Sequence, residues 1–285
     1  MVSLKLLLLT VCLVKLLSNY LVYGNNLLYR ELGCTSILTE NSDAGAYDCG
    51  NFETRSADKC YFYGKAYDLN QELSDADSIT IPCYAACKCR STSFKGENVA
   101  SFRCANVECP SLFNRRPAEP CYYQYEKDNC CEVKTYCPET KSTVYQCEYD
   151  NIMYKEGEKI YINNNICICK PGFNGTINND WCREIRCNNE INNIKSIIAK
   201  GAPVYFKTSE GCPIEWLNPE NIPGTAGKFA SAGKSQIVQK CKYGSLELLV
   251  GQELEIGDLS DSESYKTTCS CEIPPFITCL KQIKS

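Results

Sequence analysis

Cysteine is the residue type whose number and spacing dictate chemistry in this chain: 23 of 285 residues are Cys and none is His. Paired thiols form disulfides, which persist in an oxidising compartment. The absence of His removes Ser-His-Asp and Cys-His arrangements and the imidazole ligands of most catalytic zinc sites. We therefore expect structural cystines, no metal, no cofactor and no catalytic residues. No nucleophile elbow, phosphate loop or dinucleotide fingerprint is present, and we expect no catalytic cleft. Cys130 and Cys131 are adjacent. Their Cα atoms lie about 3.8 Å apart, closer than a disulfide usually spans, so each must reach a different partner. Three C-x-C pairs, Cys87/Cys89, Cys167/Cys169 and Cys269/Cys271, put both sulfurs on one face of an extended strand, aimed at a neighbouring segment.

Short strands have to position these sulfurs, and the chain divides accordingly. Lys5 and the apolar run Leu6–Val14 read as a signal peptide, residues 1–24, cut near Gly24. Its removal takes Cys12 away and leaves 22 Cys, an even number that fits full pairing. No later apolar run is long enough to span a membrane, so we expect a secreted chain without a membrane span. Residues 25–59 read as an N-terminal extension containing Cys34 and Cys49. Three clusters follow, each opened by a lone Cys (Cys60, Cys147, Cys241) that leads to a C-x-C pair and at least one later Cys. They bound modules at 60–137, 147–187 and 241–285. The second holds Cys147, Cys167, Cys169, Cys182 and Cys187; the third holds Cys241, Cys269, Cys271 and Cys279. Tyr154–Ile160 and Leu249–Ile256 read as equivalent strand–Gly–strand hairpins. Residues 191–240, with Cys212 alone and a Gly/Ala/Ser-rich run from Gly224 to Ser235, read as a linker. A short helix is expected over Ile191, Ile194, Ile197 and Ile198, stopped by Gly201 and Pro203. The fold class is a small disulfide-rich one of short antiparallel β-strands and irregular loops in tandem modules, stapled because each module is too small to be stable on burial alone.

The first cluster resembles the von Willebrand factor type C domain. The pattern is carried by Cys60, Cys83, Cys87, Cys89, Cys104, Cys109, Cys121, Cys130, Cys131 and Cys137, ten Cys in order, with Gly64 and Tyr67 after the first. The gaps Cys83 to Cys87 and Cys131 to Cys137 are longer than that family's, and the customary Trp after Tyr67 is missing. The second and third clusters resemble incomplete copies. The resemblance implies an extracellular protein ligand, extending in some members to growth factors of the bone morphogenetic protein class. In others it implies matrix assembly.

The mature chain carries 28 basic and 34 acidic residues, a net −6. No Lys/Arg stripe suits nucleic acid; the nearest approach is Arg115-Arg116. Tyr61, Phe62, Tyr63 and Tyr67 offer a dense aromatic patch, the expected partner-binding surface. Asn174-Gly175-Thr176 is an N-glycosylation acceptor. Two further readings stand beside a binding module: a structural, matrix or cuticle-associated protein, and a Cys-rich protease inhibitor or humoral stress-response factor.

Overall fold

Cystines rather than long apolar faces organise this chain, so its regular elements are short. The computed structural model describes residues 26–37, 46–114, 116–139, 144–206, 211–229, 240–257 and 264–284; the expected signal peptide lies outside them. Within them, strands of 3 to 11 residues outnumber helices of 4 to 6. All 22 cysteines among the described residues are disulfide-bonded. The adjacent pair does reach two partners, Cys130 bonding Cys83 and Cys131 bonding Cys109.

The three clusters share one frame. In each, a two-stranded hairpin opens at the lone Cys: strands Cys60–Phe62 and Lys65–Tyr67, then Gln146–Tyr149 and Ile152–Lys155, then Lys240–Tyr243 and Leu246–Leu249. The tight turns use left-handed residues: Tyr63 and Gly64, Asp150 and Asn151, and Gly244. Ten residues after the lone Cys stands another left-handed residue, Asn70, Gly157 or Gly251. Its N–H donates to the carbonyl of the second C-x-C cysteine, Cys89, Cys169 or Cys271. That cysteine's N–H donates in return to the next carbonyl, of Gln71, Glu158 or Gln252. The side chains of these same three residues accept from the backbone N–H of Asp68, Lys155 and Leu249, at 2.9, 2.7 and 2.9 Å. Two residues further on, Leu73, Ile160 and Leu254 are buried. The first C-x-C cysteine bonds the following strand in every copy: Cys87–Cys104, Cys167–Cys182 and Cys269–Cys279, with Cα separations of 4.0, 3.9 and 4.0 Å. The lone cysteines Cys147 and Cys241 bond Cys169 and Cys271.

The left-handed residue makes a corner rather than the expected hairpin. Ile152–Lys155 pairs back with Gln146–Tyr149, whereas Lys159–Ile162 pairs forward with Asn165–Ile168. Leu246–Leu249 and Gln252–Ile256 likewise belong to different sheets. A positive φ at Gly157 turns the chain out of one sheet into the next. A side chain there would also strike Gln124, whose Cβ lies 2.7 Å from where a Cβ would sit.

The chain forms two compact units whose limits differ from the expected modules. Unit one comprises the chain to Ala66, Thr92–Ser101 and Cys187–Ser285; unit two comprises Tyr67–Ser91 and Phe102–Arg186. The 60–137 module is thus divided, and Cys187, expected in the second module, bonds Cys212 in unit one.

Unit one is built on a six-stranded sheet in the order Glu215–Leu217, Ala202–Phe206, Thr278–Ile283, Tyr265–Ser270, Gln252–Ile256, Gly224–Phe229. Only the pairing of Ala202–Phe206 with Thr278–Ile283 is parallel. Residues 191–240 therefore do not form a linker: they supply three of these strands. Glycine misled because it serves packing here. A Cβ on Gly224 would lie 2.7 Å from Leu254 Cδ1, so the residue marks close approach of neighbouring strands. Residues 230–235 of the Gly/Ala/Ser run lie outside the described residues. The expected helix is present as two short pieces, Asn189–Asn192 and Ile194–Ile198. Residues 25–59 are no extension either: helix Asn26–Glu31 sinks Leu28 and Tyr29 into a core with Ile197, Ile273 and Phe276, and Tyr29 stacks on Tyr47 at 4.5 Å. Each such side chain is worth about 2 kcal/mol on burial.

Unit two holds a three-stranded sheet, Lys159–Ile162, Asn165–Ile168 and Cys182–Glu184, and the pair Tyr122–Gln124 with Lys134–Tyr136. Ile160 and Ile162 pack on Cys147, Cys167, Cys169 and Cys182. Strand alternation leaves Tyr161 exposed on the outer face.

Candidate functional site

The aromatic patch read from the sequence turns inward. Phe62 and Tyr67 are buried; Phe62 meets Tyr63 edge-on at 4.9 Å and Tyr67 meets Phe102 edge-on at 5.4 Å. The Tyr67 hydroxyl donates to Asp77, and that of Tyr63 to Glu31 Oε1 at 3.1 Å. Phe62 and Tyr67 are therefore not part of the exposed surface expected of them, and Tyr63 is half-buried. Tyr61 alone of the four lines a cleft.

Beneath that cleft, unit one buries two carboxylates that sequence reasoning did not single out. Glu31, at the last turn of helix Asn26–Glu31, accepts from the backbone N–H groups of Cys187, Asn188 and Asn189, from Asn189 Nδ2 at 2.9 Å and from the Tyr63 hydroxyl. Five donors satisfy a charge that would otherwise be costly to bury. Glu190 is paired with Arg55 and accepts from the Tyr63 N–H at 3.0 Å. Burial pushes the Glu190 carboxyl up to about 7, against the pull of Arg55 and the Tyr63 amide. Arg55 also donates to the Leu32 carbonyl at 2.7 Å and lies over the rings of Tyr61 and Phe52, 4.4 and 5.1 Å from their centroids. Its guanidinium joins the buried hub to the cleft wall. No sequence signal links Glu31 to residues 187–190, because the partners are more than 150 residues apart and follow no period.

The cleft has a volume of about 690 Å³ and is formed within unit one, within the range of sites that hold ligands. Its floor is apolar: Tyr47, Val99, Ala100, Pro274 and Phe276 are buried. Ile198, 41 % exposed, and Ala57 stand at its open side. Around the rim are Lys59, Lys200, Lys240 and Lys242, with Asp48 and Glu97 opposing them. The expectation is of no catalytic cleft, so what matters is the chemistry that the walls of this one can do. Nucleophilic chemistry needs a nucleophile within hydrogen-bond reach of a base. Ser56, on the cleft wall, donates its hydroxyl to the Asp58 carboxylate, Asp48 accepts from the Gly50 N–H at 2.8 Å, and Lys240 is bonded to Glu247 at 2.7 Å. The rim sets charged groups around an apolar floor.

Among the described residues, one cluster has metal-ligand spacing: Cys109, Cys130 and Cys131. All three are in disulfides and have no thiolate to offer. Asn174 is exposed, in a turn where its Oδ1 accepts from the Thr176 N–H at 3.1 Å and the Thr176 hydroxyl at 2.6 Å. No described helix is long and apolar enough to cross a membrane. No family model, curated protein or solved structure matches the chain.

Proposed function

We propose that the chain is a secreted binding protein that presents a cystine-fixed surface to an extracellular protein ligand. The observation that carries this reading is the cleft of unit one: a floor of buried rings and prolines, open on one side and ringed by charges. Full oxidation of the described cysteines suits an oxidising compartment. A surface fixed in this way loses little conformational entropy on binding. The resemblance of residues 60–137 to the von Willebrand factor type C domain supports the same reading and suggests a growth factor of the bone morphogenetic protein class as ligand. The exposed Asn174 turn would carry an N-linked glycan; a secreted chain whose mass is unchanged by endoglycosidase would refute that.

The test is capture. The oxidised full-length chain, immobilised and exposed to native extracellular fluid, should retain a protein at stoichiometric yield that the reduced and alkylated chain does not. Equal recovery on both would overturn the reading.

A further inference from the structure

We propose that the outer face of the three-stranded sheet in unit two binds an aryl sulfate, with its oxygens between Lys159 and Arg183 and its ring against Tyr161. The site is separate from the cleft of unit one, and only the choice of sulfate over phosphate rests on the secreted, binding-protein reading.

Strand register brings these groups together. Tyr161 pairs with Ile166, and Ile166 with Arg183, so the three stand in one row across the sheet. Lys159 is two residues from Tyr161 on the strand Lys159–Ile162 and shares its face. The opposite face carries Ile160, Ile162, Cys167 and Cys182, which form the core. Tyr161 is 62 % exposed, and Ile166 beside it is half-buried. The Tyr125 N–H donates to the Gly157 carbonyl at 2.8 Å, next to the start of this strand, and the Lys159 ammonium lies over the Tyr125 ring, 4.0 Å from its centroid. Burial, and then the Arg183 charge, holds the Lys159 ammonium below the usual lysine range, with Glu132 pulling the other way. Burial lowers Arg183 too, against Asp128 and the Tyr161 hydroxyl. Among the described residues neither carboxylate closes an ion pair with these cations. Glu132 accepts from the Ser111 N–H and hydroxyl, both at 2.7 Å, and Asp128 lies 3.9 Å from Lys127. Arg183 Nε is buried without a hydrogen-bond partner among the described residues. Two partly desolvated like charges repel each other, and an anion seated between them relieves the repulsion and gives the guanidinium an acceptor.

The neighbours decide what kind of anion fits. Glu132 and Asp128 act on this pair from either side, so a polyanion is repelled where a single anionic head is not. A carboxylate offers two oxygens, which a guanidinium fork takes together. A sulfate ester has a third for the ammonium. Tyr161 and Ile166 lie beside the pair on the same face, and an aromatic ring bearing the sulfate gains by covering them. The face offers side chains rather than a free strand edge at its centre, which suits a ligand held by its head and ring. Sulfate is the ester that tyrosine receives along the secretory route.

The experiment uses the oxidised full-length chain and a short fluorescein-labelled peptide with one sulfotyrosine among Gly and Ser, read by polarisation. Binding should be saturable, weaken with salt, and fall about tenfold when unmodified Tyr replaces the sulfotyrosine. A sulfoserine peptide, which keeps the anion and lacks the ring, should bind about threefold more weakly. Lys159→Gln with Arg183→Gln should lower affinity about tenfold and Tyr161→Ala about threefold. Lys266→Gln, at an exposed lysine of unit one, should leave it unchanged. Equal binding of the Tyr peptide overturns the proposal, as does unchanged affinity in the doubly substituted chain with an intact disulfide map. Should that chain fail to fold, Tyr161→Ala and the Tyr and sulfoserine peptides on the unaltered chain decide. Free p-tolyl sulfate separates the two sources of an aryl sulfate. Displacement of the peptide only at about tenfold higher concentration marks a partner's sulfotyrosine, and displacement at equal concentration marks a free sulfated phenol. A heparin oligosaccharide that displaces the peptide at a lower concentration of sulfate than the unlabelled peptide does would assign the face to glycans and overturn the proposal. So would binding of a phosphotyrosine peptide without binding of the sulfotyrosine one. If the sulfated peptide fails to bind while the chain still captures a protein from extracellular fluid, this site falls and the binding-protein reading stands.

Discussion

The second and third copies of the repeat have one frame but different means of support. In unit two the core of the second copy has seven buried residues, of which four are cysteines. In unit one the core of the third copy has eleven, again with four cysteines, and it continues into a six-stranded sheet. Unit one adds a second apolar cluster around Tyr29 and Phe276 and the buried Glu31 and Glu190 carboxylates. The cystine frame is thus enough to set strand order in both places. What differs is how much apolar and polar burial has grown around it, and the cleft lies where that burial is greater.

The largest effect should come from the polar hub. Glu31→Ala leaves five donors without an acceptor, three of them on consecutive backbone amides. Breaking such a buried network costs about 3–5 kcal/mol. Hydrogen exchange should show unit one opening while unit two keeps its protection. The matching change in unit two, Glu132→Ala, removes an acceptor for the Ser111 N–H and hydroxyl, both at 2.7 Å, and should cost about 1 kcal/mol. Equal losses would end the distinction between a buried-hub unit and a stapled one.

Next is the cystine itself. Cys167–Cys182 and Cys269–Cys279 occupy equivalent places and close loops of 15 and 10 residues. Chain entropy alone assigns them similar values, about 3 kcal/mol each. Replacing the first pair by Ser should unfold the three-stranded sheet, because half its core is sulfur. The same change in the third copy should lower stability yet leave the six-stranded sheet assembled. Limited proteolysis mapped by mass spectrometry separates the two; similar cleavage of both would mean that the apolar core of unit one is not what supports its copy.

How much of this was legible follows from the kind of signal each feature leaves. Cysteine spacing is local and countable, so the divergent partners of Cys130 and Cys131 and the recurrence of lone Cys and C-x-C could be read directly. The corner residue was only half legible: Gly157 and Gly251 announce a positive φ, whereas Asn70 does the same work without looking like them. The sheet in residues 191–240 was hidden because Gly224 signals a loop by composition and close packing by structure. The cleft could not be read at all. Its floor and rim come from residues near 50, 60, 99, 198, 241 and 275, and no period connects them.

Acidity distinguishes the units more gently. Burial raises Glu190 from an ordinary 4.5 to about 7. The folded state therefore holds this proton to higher pH than the unfolded chain does. The associated stability is fully present below about pH 4.5 and is lost as pH rises through about 7. Denaturant unfolding of unit one, followed across that window, should show stability falling with pH, and Glu190→Gln should flatten the fall. Parallel pH profiles for the two chains would remove Glu190 as the source.

The smallest effect concerns a polar atom that unit one buries without a partner among the described residues. Tyr205, on the strand Ala202–Phe206, is fully buried, and its hydroxyl has no hydrogen-bond partner among the described residues. Burial, with the Glu31 charge as a lesser cause, pushes this phenol far above its usual range, so it stays neutral at any pH the fold survives. A buried hydroxyl without a partner has given up its hydrogen bonds to water and gained none in return. Tyr205→Phe keeps the ring in place, removes the unsatisfied oxygen, and should leave stability unchanged or raise it by about 1 kcal/mol. The sign is informative in either direction. A gain means that unit one has apolar burial to spare and tolerates an orphaned polar group. A loss greater than about 1 kcal/mol means that the hydroxyl is satisfied, and a buried water bridging it to a neighbour would be the physical reason. Unit one would then depend on a wider polar network than the Glu31 and Glu190 hub, and its contrast with unit two would lie in buried polarity more than in apolar mass.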